Sequence, residues 1–180
     1  MRIVALDTST PVTSCALLDD EAVVWEKELV QKAGDVLPEA LGDFEGVQGV
    51  AVGLGPGSFT GLRVGLAAAK ALSYARKLPI AGASSLQALA AGQAGLVCAA
   101  TEARKGELFA QFFRDGLPQG EVQVVLADRL QLGAARLVRG TPRAAVIGRL
   151  CLPRLRSQPY DAAACFALAP DYRQGFANLT

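Results

Sequence analysis

The chain has 180 residues, of which 51% are hydrophobic and 19% charged, which supplies a core and excludes a disordered polyelectrolyte. Its net charge is +1, from 18 basic and 17 acidic side chains, so nothing in the overall charge points to strong non-specific nucleic-acid binding. It contains no histidine, which excludes Ser-His-Asp and Cys-His triads, HExxH zinc sites and any imidazole acid–base step.

In chain order, Ile3-Val4-Ala5-Leu6 predicts a short strand that ends in the turn cluster Asp7-Thr8-Ser9-Thr10-Pro11. That apolar run is too short, and Asp7 too early, for a signal peptide. Val12 to Leu18 and Ala22 to Leu29 predict two further strands joined at Asp19-Asp20, giving three antiparallel strands. A short helix is expected from Asp35 to Phe44, with Val36, Leu37, Ala40, Leu41 and Phe44 on one side. Val47 to Val52 reads as a buried strand, followed by a glycine-rich loop and a helix from Thr60 to Arg76.

Leu78 to Thr101 carries no charge and has the length of a membrane span, for which ~20 apolar residues suffice. Its glycines, serines and Pro79 divide it into strand (Pro79–Ala81), helix (Ser84–Ala91, capped by Ser84) and strand (Leu96–Thr101), a core segment with no membrane role. Glu107 to Arg114 and Val122 to Ala127 predict strands, Asp128 to Val138 a helix, Ala144 to Ile147 a strand and Ala162 to Leu168 a short helix. The alternation is that of a largely α/β layer structure with an antiparallel start. A boundary near residue 100 would separate a first half, 1–100, from a smaller second half, 101–180. No internal repeat is evident in the sequence.

Charge is unevenly spread. Residues 1–60 hold ten acids (Asp7, Asp19, Asp20, Glu21, Glu26, Glu28, Asp35, Glu39, Asp43 and Glu45) against Arg2, Lys27 and Lys32. Arginines collect from Arg129 to Arg156, and solvated helix and loop faces account for them most simply. Cys15, Cys98, Cys151 and Cys165 show no CxxC spacing and fit reduced, buried thiols in the cytosol.

Two loops could carry chemistry. Asp7-Thr8-Ser9 sets a carboxylate and hydroxyls at a strand end, where they can hold a phosphate or its metal, or simply form a turn. Gly53-Leu54-Gly55-Pro56-Gly57-Ser58-Phe59-Thr60-Gly61 lies between strand and helix and offers helix N–H groups to an anion. It is no P-loop, because Gly61-Leu62-Arg63 stands where Gly-Lys-Ser/Thr is needed, and Ser58 replaces the third glycine of a Rossmann fingerprint. In the helix beyond, Gly61, Gly65, Ala69 and Ser73 align small side chains in one stripe, flanked by Leu62 and Leu66. Such a stripe admits another helix, or the chain's own sheet, at close range.

The DTST opening, the segment GLGPGSFTGLRVGLAAAKAL and the later TEARKGELF together resemble the TsaB (YeaZ) family. Ala169-Pro170-Asp171-Tyr172-Arg173 is similar to that family's closing segment. The chain departs from the pattern at Lys32-Ala33-Gly34, at Glu102 where aspartate is usual, and in its short second half.

The resemblance implies an actin-like ATPase (ASKHA, ribonuclease H-like) α/β fold with two small lobes. It implies a non-catalytic cytoplasmic subunit that binds TsaD, and with it TsaE, in forming threonylcarbamoyladenosine on tRNAs reading ANN codons. ATP and Mg would be used by the partners, with no cofactor or metal assigned to this chain. Transfer to the stripe places the partner-binding surface at Gly61, Leu62, Gly65, Leu66, Ala69 and Ser73, with Val36 and Leu37 from the preceding helix. Asp7, Thr8, Ser9, Gly55, Gly57 and Ser58 would form vestigial phosphate loops. A homodimer in the absence of TsaD, and a small free-standing actin-fold ATPase or phosphotransferase, are the alternatives.

Overall fold

The computed structural model describes residues 1–30, 45–104 and 106–172. The expected helix at 35–44, and with it Val36 and Leu37, lies outside the described residues, as does Arg173 of the closing segment.

Strands β1 (Arg2–Asp7), β2 (Thr13–Asp19), β3 (Ala22–Leu29), β4 (Gly49–Gly53) and β5 (Ile80–Ala83) form one sheet in the order β3-β2-β1-β4-β5. The first three are antiparallel neighbours, and β4 and β5 run parallel to β1. Between β4 and β5 lies the helix α1 (Phe59–Arg76), and after β5 the short helix α2 (Ser85–Ala90).

The central strand β1 is apolar from Ile3 to Leu6 because both of its faces are covered. Ile3 and Ala5 pack with Ala16, Leu18 and Ala51 on one side, while Val4 and Leu6 pack with Val50, Val52, Leu66 and Ala69 of α1 on the other. Strand side chains alternate between faces, so a strand buried twice loses the polar half of its pattern. Each valine, leucine or isoleucine among them contributes about 1.5–3 kcal/mol on burial, the alanines less.

Helix α3 (Ala144–Ser157) covers the Ile3 face, although a strand is predicted at Ala144–Ile147. Ala144, Ile147, Gly148, Cys151, Leu152 and Leu155 are buried, at the three- and four-residue spacing of a helix. The four apolar residues at its start hide that period. Gly148 lets the helix approach closely, since a Cβ there would meet Leu18 Cδ1 at 2.8 Å. Its first turn is held by the sheet: Ala144 N–H donates to Ser14 Oγ at 2.9 Å and Ala145 N–H to Glu26 Oε1 at 2.9 Å. Arg143 closes the corner with an ion pair to Glu26.

A second sheet contains β6 (Leu96–Glu102), β7 (Glu107–Arg114), β8 (Leu117–Leu126) and β9 (Arg136–Arg139), in the order β8-β7-β6-β9. Asp128 starts no helix. A single 3-10 turn at Ala127–Arg129 leads through Leu130 and Leu132, packed against Cys98 and Ala100, into β9. Strand β9 then pairs parallel to β6. Here sheet pairing and burial of these leucines override helix propensity.

The two sheets repeat one topology. In each, three antiparallel strands are followed by a fourth that runs parallel to the first, so β8-β7-β6-β9 reproduces β3-β2-β1-β4. The duplication exists in strand order and is invisible in residue identity. The boundary expected near residue 100 falls within β6, and α3 returns from the second sheet to the first.

Helix α4 (Ala162–Ala167) and the chain up to Tyr172 lie along α1. Lys70 Nζ donates to the Phe166 carbonyl at 2.8 Å, and the rings of Tyr74 and Phe166 are 5.4 Å apart. Asp171 N–H donates to the Leu54 carbonyl at 2.8 Å, and Tyr172 meets Phe59 at 5.1 Å. All four cysteines are buried and free, and burial pushes the Cys15 thiol up to about 12. Among the described residues no helix is long and apolar enough to cross a membrane.

Candidate functional site: the strand-turn and glycine-loop junction

The turn after β1 and the glycine loop before α1 are pressed against each other, and the glycines are explained by that contact. A Cβ at Gly53 would lie 1.9 Å from Asp7 Oδ2, and one at Gly57 would lie 2.2 Å from the Ser9 carbonyl oxygen. At Gly61 it would lie 2.1 Å from the Thr8 carbonyl oxygen, and at Gly65 2.1 Å from Thr8 Oγ1. Real Cβ contacts do not approach so closely, so the absence of a side chain is a packing requirement at all four positions. Thr8 completes the junction by donating from Oγ1 to the Gly61 carbonyl at 2.8 Å.

Asp7 is fully buried in this junction. Its Oδ1 accepts from Ser9 N at 2.9 Å and from Ser9 Oγ at 2.6 Å, and its Oδ2 accepts from Ser85 Oγ at 2.6 Å. Ser85 Oγ in turn accepts from Gly55 N at 3.1 Å. Burial pushes the Asp7 carboxyl above its usual range, and the hydrogen bonds from Ser85 and Ser9 pull part of the way back. Both of its oxygens are thus occupied by the protein. Among the described residues no group of three or more His, Cys, Asp and Glu comes together, so they offer no such ligand set for a metal.

The loop's exit builds the start of α1. Ser58 caps it, accepting from Gly61 N at 3.2 Å. The small-residue stripe then faces inward: Gly65, Leu66, Ala69 and Ser73 are buried against the chain's own β1 turn and sheet, as is Leu62. Their own chain already fills the close approach that the stripe allows, so these residues present no open surface to another helix. The exposed face carries Thr60, Arg63, Ala67 and Ala71, with Thr60, Arg63, Val64 and Ala67 lining a shallow groove of about 320 Å³.

Of the residues singled out as phosphate loops, Asp7, Thr8, Gly55 and Gly57 are taken up in this junction, whereas Ser9 and Ser58 also reach a cleft between the two sheets. Sequence reasoning missed Ser85, which closes Asp7 from 78 positions away. It carried no signal beyond the helix cap next to it, Ser84.

Residues 25–137 match the family model described as TsaD: tRNA N6-adenosine threonylcarbamoyltransferase. The chain is 36% identical over 138 residues to the tRNA threonylcarbamoyladenosine biosynthesis protein TsaB of Escherichia coli, covering 67% of this chain and 60% of that protein. It is 32% identical over 150 residues to the Bacillus subtilis protein of the same name, covering 73% of this chain and 66% of that one. The chain therefore spans less than two thirds of the length of the E. coli relative. Its fold is similar to that of YeaZ from Pseudomonas aeruginosa, with a TM-score of 0.73 at 23% identity over 95% of this chain and 99% of that one. The likeness and the paired sheets identify the architecture as an actin-like (ASKHA) α/β fold.

Proposed function

Because the chain belongs to the TsaB (YeaZ) family, within reach of the TsaD family model, we propose that it is a non-catalytic scaffold subunit in the formation of threonylcarbamoyladenosine on tRNA. The carrying observation is Asp7. It is the carboxylate among the residues of the two vestigial phosphate loops, and Ser9 and Ser85 occupy both of its oxygens below the surface. A free-standing ATPase or phosphotransferase needs that group turned toward a ligand. With no histidine anywhere in the chain, no imidazole can act as acid or base near the loop.

The scaffold acts by presenting α1. Its exposed face, Thr60, Arg63, Ala67 and Ala71, has small side chains on either side of one arginine, which suits close contact with a helix. The occupant is TsaD, a partner whose own family model extends over most of this chain. TsaE joins through that pair, tRNA is met through the complex in the cytosol, and a second copy of the chain takes the face when TsaD is absent. The two lobes of this reading are the β1–β5 sheet with its helices and the β6–β9 sheet.

Light scattering of the chain mixed with its cognate TsaD tests the proposal. A stable heterodimer mass is expected. Separate masses, with or without ATP and TsaE, would remove the scaffold role.

A further inference from the structure

Helix α1 carries charge of one sign. From Gly46 to Thr101 the sequence has four basic residues, Arg63, Lys70, Arg76 and Lys77, and no acidic one. All four lie on this helix or at its C-cap. None of them forms an ion pair with a carboxylate among the described residues.

Steps of four, seven, four and three residues put Phe59, Arg63, Lys70, Tyr74 and Lys77 on one flank of α1, about 27 Å long at 1.5 Å per residue. Rings and cations therefore interleave along it. The Arg63 guanidinium lies 5.3 Å from the centre of the Phe59 ring, and Lys77 Nζ lies 4.3 Å from that of Tyr74, contacts that orient both cations and leave their charge unneutralised. The chain after α3 adds two more rings, Tyr172 against Phe59 and Phe166 against Tyr74, and Lys70 fixes the second by bonding the Phe166 carbonyl. It also adds two carboxylates, Asp171 and Asp161, the latter engaged in capping α4. Core packing does not account for these rings: Phe166 is 61% exposed, and Phe59, Tyr74 and Tyr172 are nearly half exposed.

The pattern selects a partner chemistry. A row of cations alone fits any polyanion, and exposed rings alone fit any apolar surface. Interleaved, they fit a chain that offers flat π faces and phosphates in turn, which is a single-stranded nucleic acid. A polyphosphate or an acidic peptide would leave the rings unused.

We propose that this flank of α1, together with Phe166 and Tyr172, binds single-stranded RNA, with bases on the rings and phosphates on Arg63, Lys70 and Lys77. The choice of RNA rests on the tRNA role proposed above. The surface itself does not, and it shares only Arg63 with the face of Thr60, Ala67 and Ala71.

Fluorescence anisotropy of a short labelled oligoadenylate, titrated with the chain alone at a series of salt concentrations, tests the proposal. Saturable binding that weakens with salt is expected. Phe166→Leu keeps an apolar contact with Tyr74 but removes the flat ring, and should weaken binding by at least about fivefold. Lys77→Gln removes one phosphate contact and should reduce the slope of log affinity against log salt by about 0.7. Both positions are at the surface, and an unchanged Tm checks that each variant folds. Neither belongs to the face assigned to TsaD, so light scattering with TsaD reads the scaffold role separately. No saturation, unchanged affinity in Phe166→Leu, an unchanged salt slope in Lys77→Gln, or equally tight binding of polyglutamate would overturn the proposal.

Discussion

A Cβ on Gly65 would lie 2.1 Å from Oγ1 of Thr8, so the long helix seats on the first turn only because position 65 has no side chain. Alanine in a helix is favoured over glycine by about 1 kcal/mol. Here the clash decides, because Thr8 is β-branched, buried and bonded to Gly61. Gly65→Ala should therefore destabilise by about 1–3 kcal/mol, lowering Tm by roughly 2–12 °C at this chain length. In a Thr8→Ala background the same change should be far less harmful, a coupling that a double-mutant cycle measures. Additive losses would show that the contact is relieved elsewhere.

The anchor of α3 gives a second expectation. Glu26 receives Ala145 N–H and Arg143 across a separation of more than a hundred residues, where the helix has no capping side chain of its own. Glu26→Ala leaves a helix N-terminus without its carboxylate and should reduce stability by about 1–2 kcal/mol. Glu26→Gln keeps an acceptor for Ala145 N–H and should recover part of that loss. Urea unfolding of the three proteins measures both effects.

How far this fold can be read in the sequence depends on how local each cause is. Strands β1 to β7 and helix α1 follow from apolar runs and turn residues, and the structure has them within a few positions. Residues 128–147 do not, because β9 exists by pairing with β6 and α3 by covering the Ile3 face, both distant in sequence. The stripe Gly61-Gly65-Ala69-Ser73 was legible as a close contact, yet nothing in its spacing says whose backbone approaches. The answer, Thr8, lies in the turn that sequence reasoning treated as a separate motif.

The scaffold reading also makes a specific claim about α1. Ala67 is exposed in the shallow groove beside Arg63, away from the buried stripe. Arginine is a good helix former, so Ala67→Arg should leave Tm within a degree or two. It should weaken pairing with TsaD by at least about tenfold, since a bulky charge in a close helix contact must be desolvated. Unchanged pairing in a folded variant would move the interface to another face. A Gly65 variant could not make this distinction, because loss of pairing there would follow from damage to the fold.

Asp7 sets a pH dependence whose sign is fixed by its burial. Its carboxyl is raised from 3.8 mainly by loss of solvent, with the bonds from Ser85 and Ser9 opposing. Between the unfolded value and the raised folded one, the native state holds a proton that the unfolded chain has released. Stability from this group is therefore present below the unfolded value and is lost as pH rises through the folded one. Asp20 works the other way, lowered by the N-terminal amino group and Arg156, and is common to both proteins in a comparison with Asp7→Asn. The amide keeps an acceptor for Ser9 but turns an N–H₂ toward Ser85 Oγ, which already accepts Gly55 N–H. That mismatch shifts stability by a constant amount at every pH. The stability of Asp7→Asn relative to the parent should consequently rise with pH from about 4 upward, then level off above the folded value. Denaturant unfolding at a series of pH values reads the slope independently of the offset. A flat difference across the series would mean that the carboxyl is not raised, and that Ser9 and Ser85 hold a charge fully compensated in the core.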